Sequence, residues 1–220
     1  MEFELIKPYM SRENLGLHIK NNKYFENSVI RDKLTGLPIV KASSWKGNLR
    51  FASEKMEWDE QGKTKLMNRL FGQAGAKGRL SFFTTYFDKA DEDVITPLSR
   101  ETKMPIRGPI KLEVVPVGTK GKISLLYFPY PKSSIYNGNE VDEDLRFLAE
   151  SLWHMFYVYG FSARKTSGFG VIKQMKEEDI SIQTKDFKKT GNETISYINY
   201  ERYKKLFSKL WETNFKGGVY

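Results

Sequence analysis

Apolar positions recur at helical spacing most clearly over residues 142–158. Leu145, Leu148, Ala149, Leu152 and Phe156 mark one face there, acids fill the first turn, and Gly160 is the expected stop. A second helix is predicted from the segment Lys41-Ala-Ser-Ser-Trp-Lys-Gly to about Lys55, with Ser43 or Ser44 as its N-cap. Leu66 and Leu70 predict a short helical piece over 65–71 that ends at Gly72. Residues 199–214 predict a last amphipathic helix, striped by Tyr203, Leu206, Phe207, Leu210 and Trp211.

Short apolar runs predict strands at 3–6, 28–31, 37–40, 79–86, 109–117 and 122–128, with another short apolar run at 15–19. The runs at 28–31 and 37–40 join through Thr35-Gly36 as a hairpin, and those at 109–117 and 122–128 are expected to pair around 118–121. Residues 21–25, 58–62, 72–78 and 129–139 read as loops and links. Residues 87–107 have no clean period and carry acids, Pro97 and Pro105; so long an irregular insert points to function. Strands mixed with two main helices predict an α+β chain with a ferredoxin-like or RNA-recognition-like core.

At 220 residues, 40% apolar and 14% aromatic, the chain suits one large domain with insertions. It has no cysteine, which excludes a disulfide frame, a thiolate zinc site and a cysteine nucleophile. No apolar run approaches the roughly 20 residues that span a bilayer, and Met-Glu-Phe-Glu-Leu lacks the start of a signal peptide. The expectation is a cytoplasmic protein with no membrane partner.

Net charge changes the picture more. The chain carries +9, and the charge is segregated: basic residues dominate 41–79, and Gly160-Phe-Ser-Ala-Arg-Lys-Thr-Ser-Gly-Phe-Gly170 has no acid at all. Acids gather at 57–60, 88–93, 140–143 and 177–179 and read as solvated loops. A helix start offers unpaired amides and a positive dipole end to an anion, and Lys41, Lys46 and Arg50 add charge there, the last two on one face. The glycine-punctuated basic loop is a second anion-ready element, so a polyanion such as RNA is the expected partner. Phe161 and Phe169 on that loop are candidates to stand near bases.

Other chemistry is sparse. His18 and His154 lie far apart without metal-ligand spacing; His154 suits a partly buried structural role, and His18 is a candidate general base of a metal-independent ribonuclease. There is no phosphate-binding Gly-x-x-x-x-Gly-Lys-Ser/Thr loop, and Gly168-Phe-Gly170 lacks the rest of a dinucleotide fingerprint. Glu26 and Asp32 are the acids nearest the basic helix start.

Pro38-Ile-Val-Lys-Ala-Ser-Ser-Trp-Lys-Gly-Asn-Leu-Arg50 resembles the Ser-Ser-x-Lys-Gly-x-x-Arg signature of the RAMP superfamily of CRISPR proteins. The segment 160–170 resembles that family's glycine-rich loop. Leu70-Phe-Gly72, Gly78-Arg-Leu-Ser-Phe82 and Glu113-Val-Val-Pro-Val-Gly118 resemble the backbone subunits of type III and type III-derived effectors. The ordered set spans roughly residues 12–173 of a single RAMP-type domain, 1–220, with 180–220 as a C-terminal extension. The resemblance implies a ferredoxin-like palm with a thumb at 87–107, stacked in copies along a guide CRISPR RNA and presenting it to target RNA. It implies that Lys41, Ser43, Ser44, Lys46 and Arg50 meet the guide backbone from one side. Arg164, Lys165, Thr166, Ser167 and Gly168 would meet it from the other. In the thumb, Met104 or Ile106 would wedge between bases.

Cleaving relatives carry an aspartate where the motif pairing puts Glu26, and the extra methylene displaces the carboxylate. The expectation is therefore a scaffold without a cofactor, partnered by other effector subunits and by a separate nuclease. Two readings stand beside it. One is an enzyme: a target-cleaving subunit using Glu26 or Asp32 with Mg2+, or a guide-processing ribonuclease using His18. The other is a capping subunit that grips one end of the guide and does not self-stack.

Overall fold

Phe3 and Leu5 are buried while Glu2 and Glu4 are not, the period of two that makes an extended segment one-faced. In the computed structural model, which describes residues 1–11, 18–20, 23–25, 27–129, 138–183, 203–205 and 207–208, that segment opens the fold. The chain runs β1 (Glu2–Glu4), β2 (His18–Lys20), β3 (Lys23–Phe25) and β4 (Ile39–Val40) into α1 (Ala42–Glu54) and α2 (Glu60–Phe71). Then come β5 (Gly72–Gln73), β6 (Ala76–Lys77), β7 (Leu80–Phe82), β8 (Thr85–Tyr86), β9 (Asp91–Ile95) and β10 (Ile110–Val114). β11 (Lys120–Lys122) and β12 (Leu125–Tyr127) precede α3 (Gly138–Trp153), which continues as a π-helical turn, His154–Tyr159. The fold is thus a mixed α+β one.

β1 pairs antiparallel with β11, Phe3 opposite Gly121, and the strip continues through a Tyr9–Val115 bridge. Its other edge takes residues 170–173: Leu5 bridges Ile172, and the Lys173 amide donates to the Glu4 carbonyl at 2.8 Å. Gly121 is required here because a Cβ would run into the Phe3 and Phe87 rings. Phe3, Trp45, Phe87, Phe156 and Phe161 form one aromatic knot at the centre of the core, with edge-to-face pairs such as Phe3–Trp45 at 6.1 Å. Each such side chain, fully buried, contributes on the order of 1.5–3 kcal/mol. α1 buries Trp45, Leu49, Ala52 and Ser53 against this knot, and Ser53 Oγ meets Ser151 Oγ of α3 at 2.9 Å.

Several expectations change. The 28–31/37–40 hairpin is present, with Arg31 bridging Pro38 and Asp32 holding the turn. Residues 23–25 are not a loop but a strand paired with β2, and 72–77 are a tight β5–β6 ladder rather than a flexible link. α2 starts five residues early, because Asp59 caps it by accepting from the Gly62 amide at 2.7 Å. The 109–117 and 122–128 runs do not pair with each other. β10 pairs with β9, inside the supposedly irregular insert, while β11 pairs with β1 and β12 with β7. Alternation alone cannot choose among such partners. In the last predicted helix, Tyr203–Lys205 and Phe207–Ser208 are helical, and Tyr203 and Phe207 are buried; Leu206, Leu210 and Trp211 lie outside the described residues.

Candidate nucleic-acid interface

The α1 amino end is set by tertiary packing rather than by a cap. Lys41 occupies the N-cap position in extended conformation, and no side chain caps the helix. Ser43 and Ser44 therefore sit inside the first turn, not at the cap position expected of them. The Ser44 and Trp45 amides reach the Lys41 carbonyl at 2.9 and 3.1 Å. Helix geometry provides no internal carbonyl for the amides of Ala42 and Ser43. Trp45, fully buried, anchors this turn by donating Nε1–H to Thr85 Oγ1 at 3.0 Å. Lys41, Ser43, Lys46 and Arg50 are exposed, and Ser44 is half-buried. Arg50 is shared with Glu54 at 3.2 Å, an exposed i,i+4 pair of small energy.

The 160–170 loop is closed at its base. Gly160 and Gly170 both have positive φ, and a Cβ on Gly160 would press on the Phe169 carbonyl while one on Gly170 would strike Ser162. Ser162 Oγ accepts from the Met10 amide at 2.8 Å and donates to the Met10 carbonyl at 2.9 Å, tying the loop to the first strip. Within the loop Arg164 and Gly168 take the left-handed conformation on either side of a 3-10 turn, Lys165–Ser167. Arg164, Thr166 and Ser167 are exposed; Lys165 and Gly168 are half-buried.

These two elements, far apart in sequence, lie side by side. The Phe161 ring packs on Trp45 with centroids 4.6 Å apart. Asn48 Nδ2 donates to the carbonyls of Ser44 and Phe161 at 2.9 and 3.0 Å, and Asn48 Oδ1 accepts from Lys165 Nζ at 3.0 Å. The Lys165 ammonium also lies 4.2 Å from the Phe51 ring centroid, and burial lowers its pKa. Phe161 is accordingly a core residue, not a base-stacking one. Phe169 is half-buried against a satellite cluster of Met10, Ile110, Leu112 and Val114. Asn48, Trp45 and Ser162 carry the architecture of the site, and only the i,i+4 spacing of Ser44 and Asn48 hinted at it in the sequence.

Two cations of the basic 41–79 stretch are taken out of play. Arg69 Nε and Arg79 Nη1 donate to the Asp144 carboxylate at 2.5 and 2.7 Å, and Arg79 Nη2 reaches Glu140 at 2.8 Å. Tyr127 donates to the same Asp144 at 2.7 Å; burial and that carboxylate push the phenol pKa up. Glu140 and Glu143 are thus ion-pair partners, not members of a solvated loop.

The β9–β10 hairpin carries the other candidate group. At its tip the Ser99 amide meets the Met104 carbonyl at 2.9 Å, with Lys103 left-handed. Leu98, Met104 and Ile106 are 53%, 68% and 69% exposed around that turn.

Catalytic candidates fare differently. Glu26 lies outside the described residues. His18 is on β2, opposite Phe25. Asp32 Oδ2 accepts from the Thr35 amide and hydroxyl, both at 2.9 Å, which lowers its pKa and commits it to its own turn. His154 stacks near Tyr159, and burial lowers its pKa. Among the described residues no three His, Asp or Glu side chains gather as a metal donor set. No helix among them is long and apolar enough to cross a membrane.

With that geometry in view, residues 16–173 match the family model of the RAMP superfamily, and the chain belongs to that family. It is similar to the CRISPR system Cms endoribonuclease Csm3 of Streptococcus thermophilus, 32% identical over 96 residues, which cover 37% of this chain and 44% of that protein. The matched region is thus less than half the length of that relative. The fold is also that of a chain in the cryo-EM structure of the type III-B Cmr-beta complex bound to cognate target RNA. That likeness has a TM-score of 0.50 at 17% identity, over 79% of this chain and 58% of that one.

Proposed function

We propose that this chain is a guide-RNA-binding backbone subunit of a type III effector, stacked in several copies along the guide and presenting it for target pairing in antiviral defence. The observation that carries the reading is the union of the uncapped α1 start and the basic loop on one face, made by Asn48 and by Trp45 on Phe161. A backbone grip needs amides and cations along a groove and reads no bases. Lys41, Ser43, Ser44 and Lys46 supply these from α1, with Arg50 once it leaves Glu54; Arg164, Thr166, Ser167 and Gly168 supply them from the loop, and Lys165 lies between. The palm would be ferredoxin-like, and the β9–β10 hairpin would be the thumb, with Met104 and Ile106 set to part neighbouring bases. Other effector subunits and a separate nuclease in the cell interior complete the assembly.

One observation favours a second reading: the curated relative is an endoribonuclease by name. In that reading Glu26 and Mg2+ cut the target. The described residues form no donor set for Mg2+, and Asp32 is occupied by its turn.

Co-expression with a CRISPR array and its neighbouring genes, followed by native mass and RNA analysis, tests the reading. Several copies per guide are expected, with loading lost in Lys46→Glu plus Arg164→Glu. A monomer free of RNA, or one copy per guide, would sink it. Slicing of paired RNA by assemblies without another nuclease, abolished by Glu26→Ala, would establish the second reading.

A further inference from the structure

Asn48 carries no charge and still touches both halves of the proposed grip. Its planar amide fixes three directions at once: one to the Ser44 carbonyl in the first turn of α1, one to the Phe161 carbonyl at the base of the loop, and one to the Lys165 ammonium at its tip. The last two partners lie 113 and 117 positions away in sequence. Beneath it the Trp45–Phe161 contact is apolar and leaves the loop free to slide, because dispersion has little directional preference. The amide supplies the direction that packing lacks. Lys165 is pinned between Asn48 Oδ1 and the face of Phe51, which fixes where the 3-10 turn of the loop stands relative to α1.

We propose that Asn48 is a positioning residue for RNA binding: a latch that holds the basic loop and the α1 amino end at one separation, so that consecutive phosphates meet a pre-set pair of anion sites. The inference rests on the RNA reading above and assigns a role to a residue that itself meets no phosphate. Without the latch the loop must be ordered on each binding event, a cost that preorganisation removes.

The distinguishing quantity is the salt slope. Removing a phosphate-contacting cation lowers the slope of log affinity against log salt by about one, whereas removing a positioning group lowers affinity and keeps the slope. Wild type and N48A are compared for binding of a fluorescein-labelled single-stranded RNA of mixed sequence across a salt series, and for trypsin cleavage after Arg164 and Lys165. Alanine is a better helix former than asparagine, so α1 itself is not weakened. Expected are an affinity about tenfold lower at every salt concentration, an unchanged slope, faster cleavage in the loop and an unchanged circular dichroism spectrum. Wild-type affinity in N48A overturns the latch even where cleavage accelerates. A slope lower by about one also overturns it, because Asn48 or the lysine it holds would then be a direct phosphate contact. Wild type lacking salt-dependent RNA binding defeats the RNA reading itself, and the latch with it.

Discussion

The Asp144 carboxylate accepts from Arg69, Arg79 and Tyr127 with none of its side chain exposed. It joins α2, the segment before β7, β12 and α3 in one node. Two guanidiniums, each little more than a tenth exposed, depend on that single anion. Removing one partner of a buried ion pair strands the others, at a cost of about 3–5 kcal/mol. Asp144→Asn, nearly the same size, is expected to lower unfolding stability in urea by that order; a loss below about 1 kcal/mol would make Glu140 and Glu143 sufficient partners. Composition counted Arg69 and Arg79 toward a basic face. Nothing in the local sequence tells a cation turned to solvent from one turned to an acid some 65 or 75 positions away.

At the scale of elements, helices were legible and strand pairings were not. The apolar stripe of α3 and the span of α1 came from spacing within one segment, since i,i+4 neighbours are decided locally. The β9 partner of β10 was hidden because Asp91-Glu-Asp-Val-Ile95 has acids where an isolated strand would show apolar alternation. Its acids face outward in part, with Glu92 and Lys111 paired at 3.2 Å across the ladder. The tip of this hairpin has no partner in the core. A triple change of Leu98, Met104 and Ile106 to serine is therefore expected to alter the melting temperature little, within about 0.5 kcal/mol. If the tip parts guide–target pairing, a 2-aminopurine placed in a bound target loses its unstacked fluorescence in this variant. A large drop in melting temperature instead would make the tip a packing element.

For the molecule as a whole, pH acts through groups buried or paired by folding. His154 has its pKa lowered by burial, so below the ordinary value of 6.5 the unfolded chain takes up the proton first. Stability is then full above about pH 6.5 and falls as pH drops through it. Glu140 has its pKa lowered by Arg79, so its contribution is lost at more acid pH, below its ordinary 4.5. Thermal melts across this range are expected to show two declines, and His154→Gln to remove the first alone. A first decline that survives the substitution would assign it to another group.

From the sequence alone came the residue-local properties: the α3 stripe, the α1 span, the Thr35-Gly36 turn, the two anion-ready motifs and the likeness to the RAMP superfamily. Each is encoded by side chains within a few positions of one another. Tertiary structure alone decided the α1 cap, the burial of Phe161, the strand partners, the loss of Arg69 and Arg79 from the basic face, and the meeting of Asn48 with Lys165. Those depend on which atoms come to within 3 Å across more than a hundred residues, and a linear pattern carries no distance of that kind.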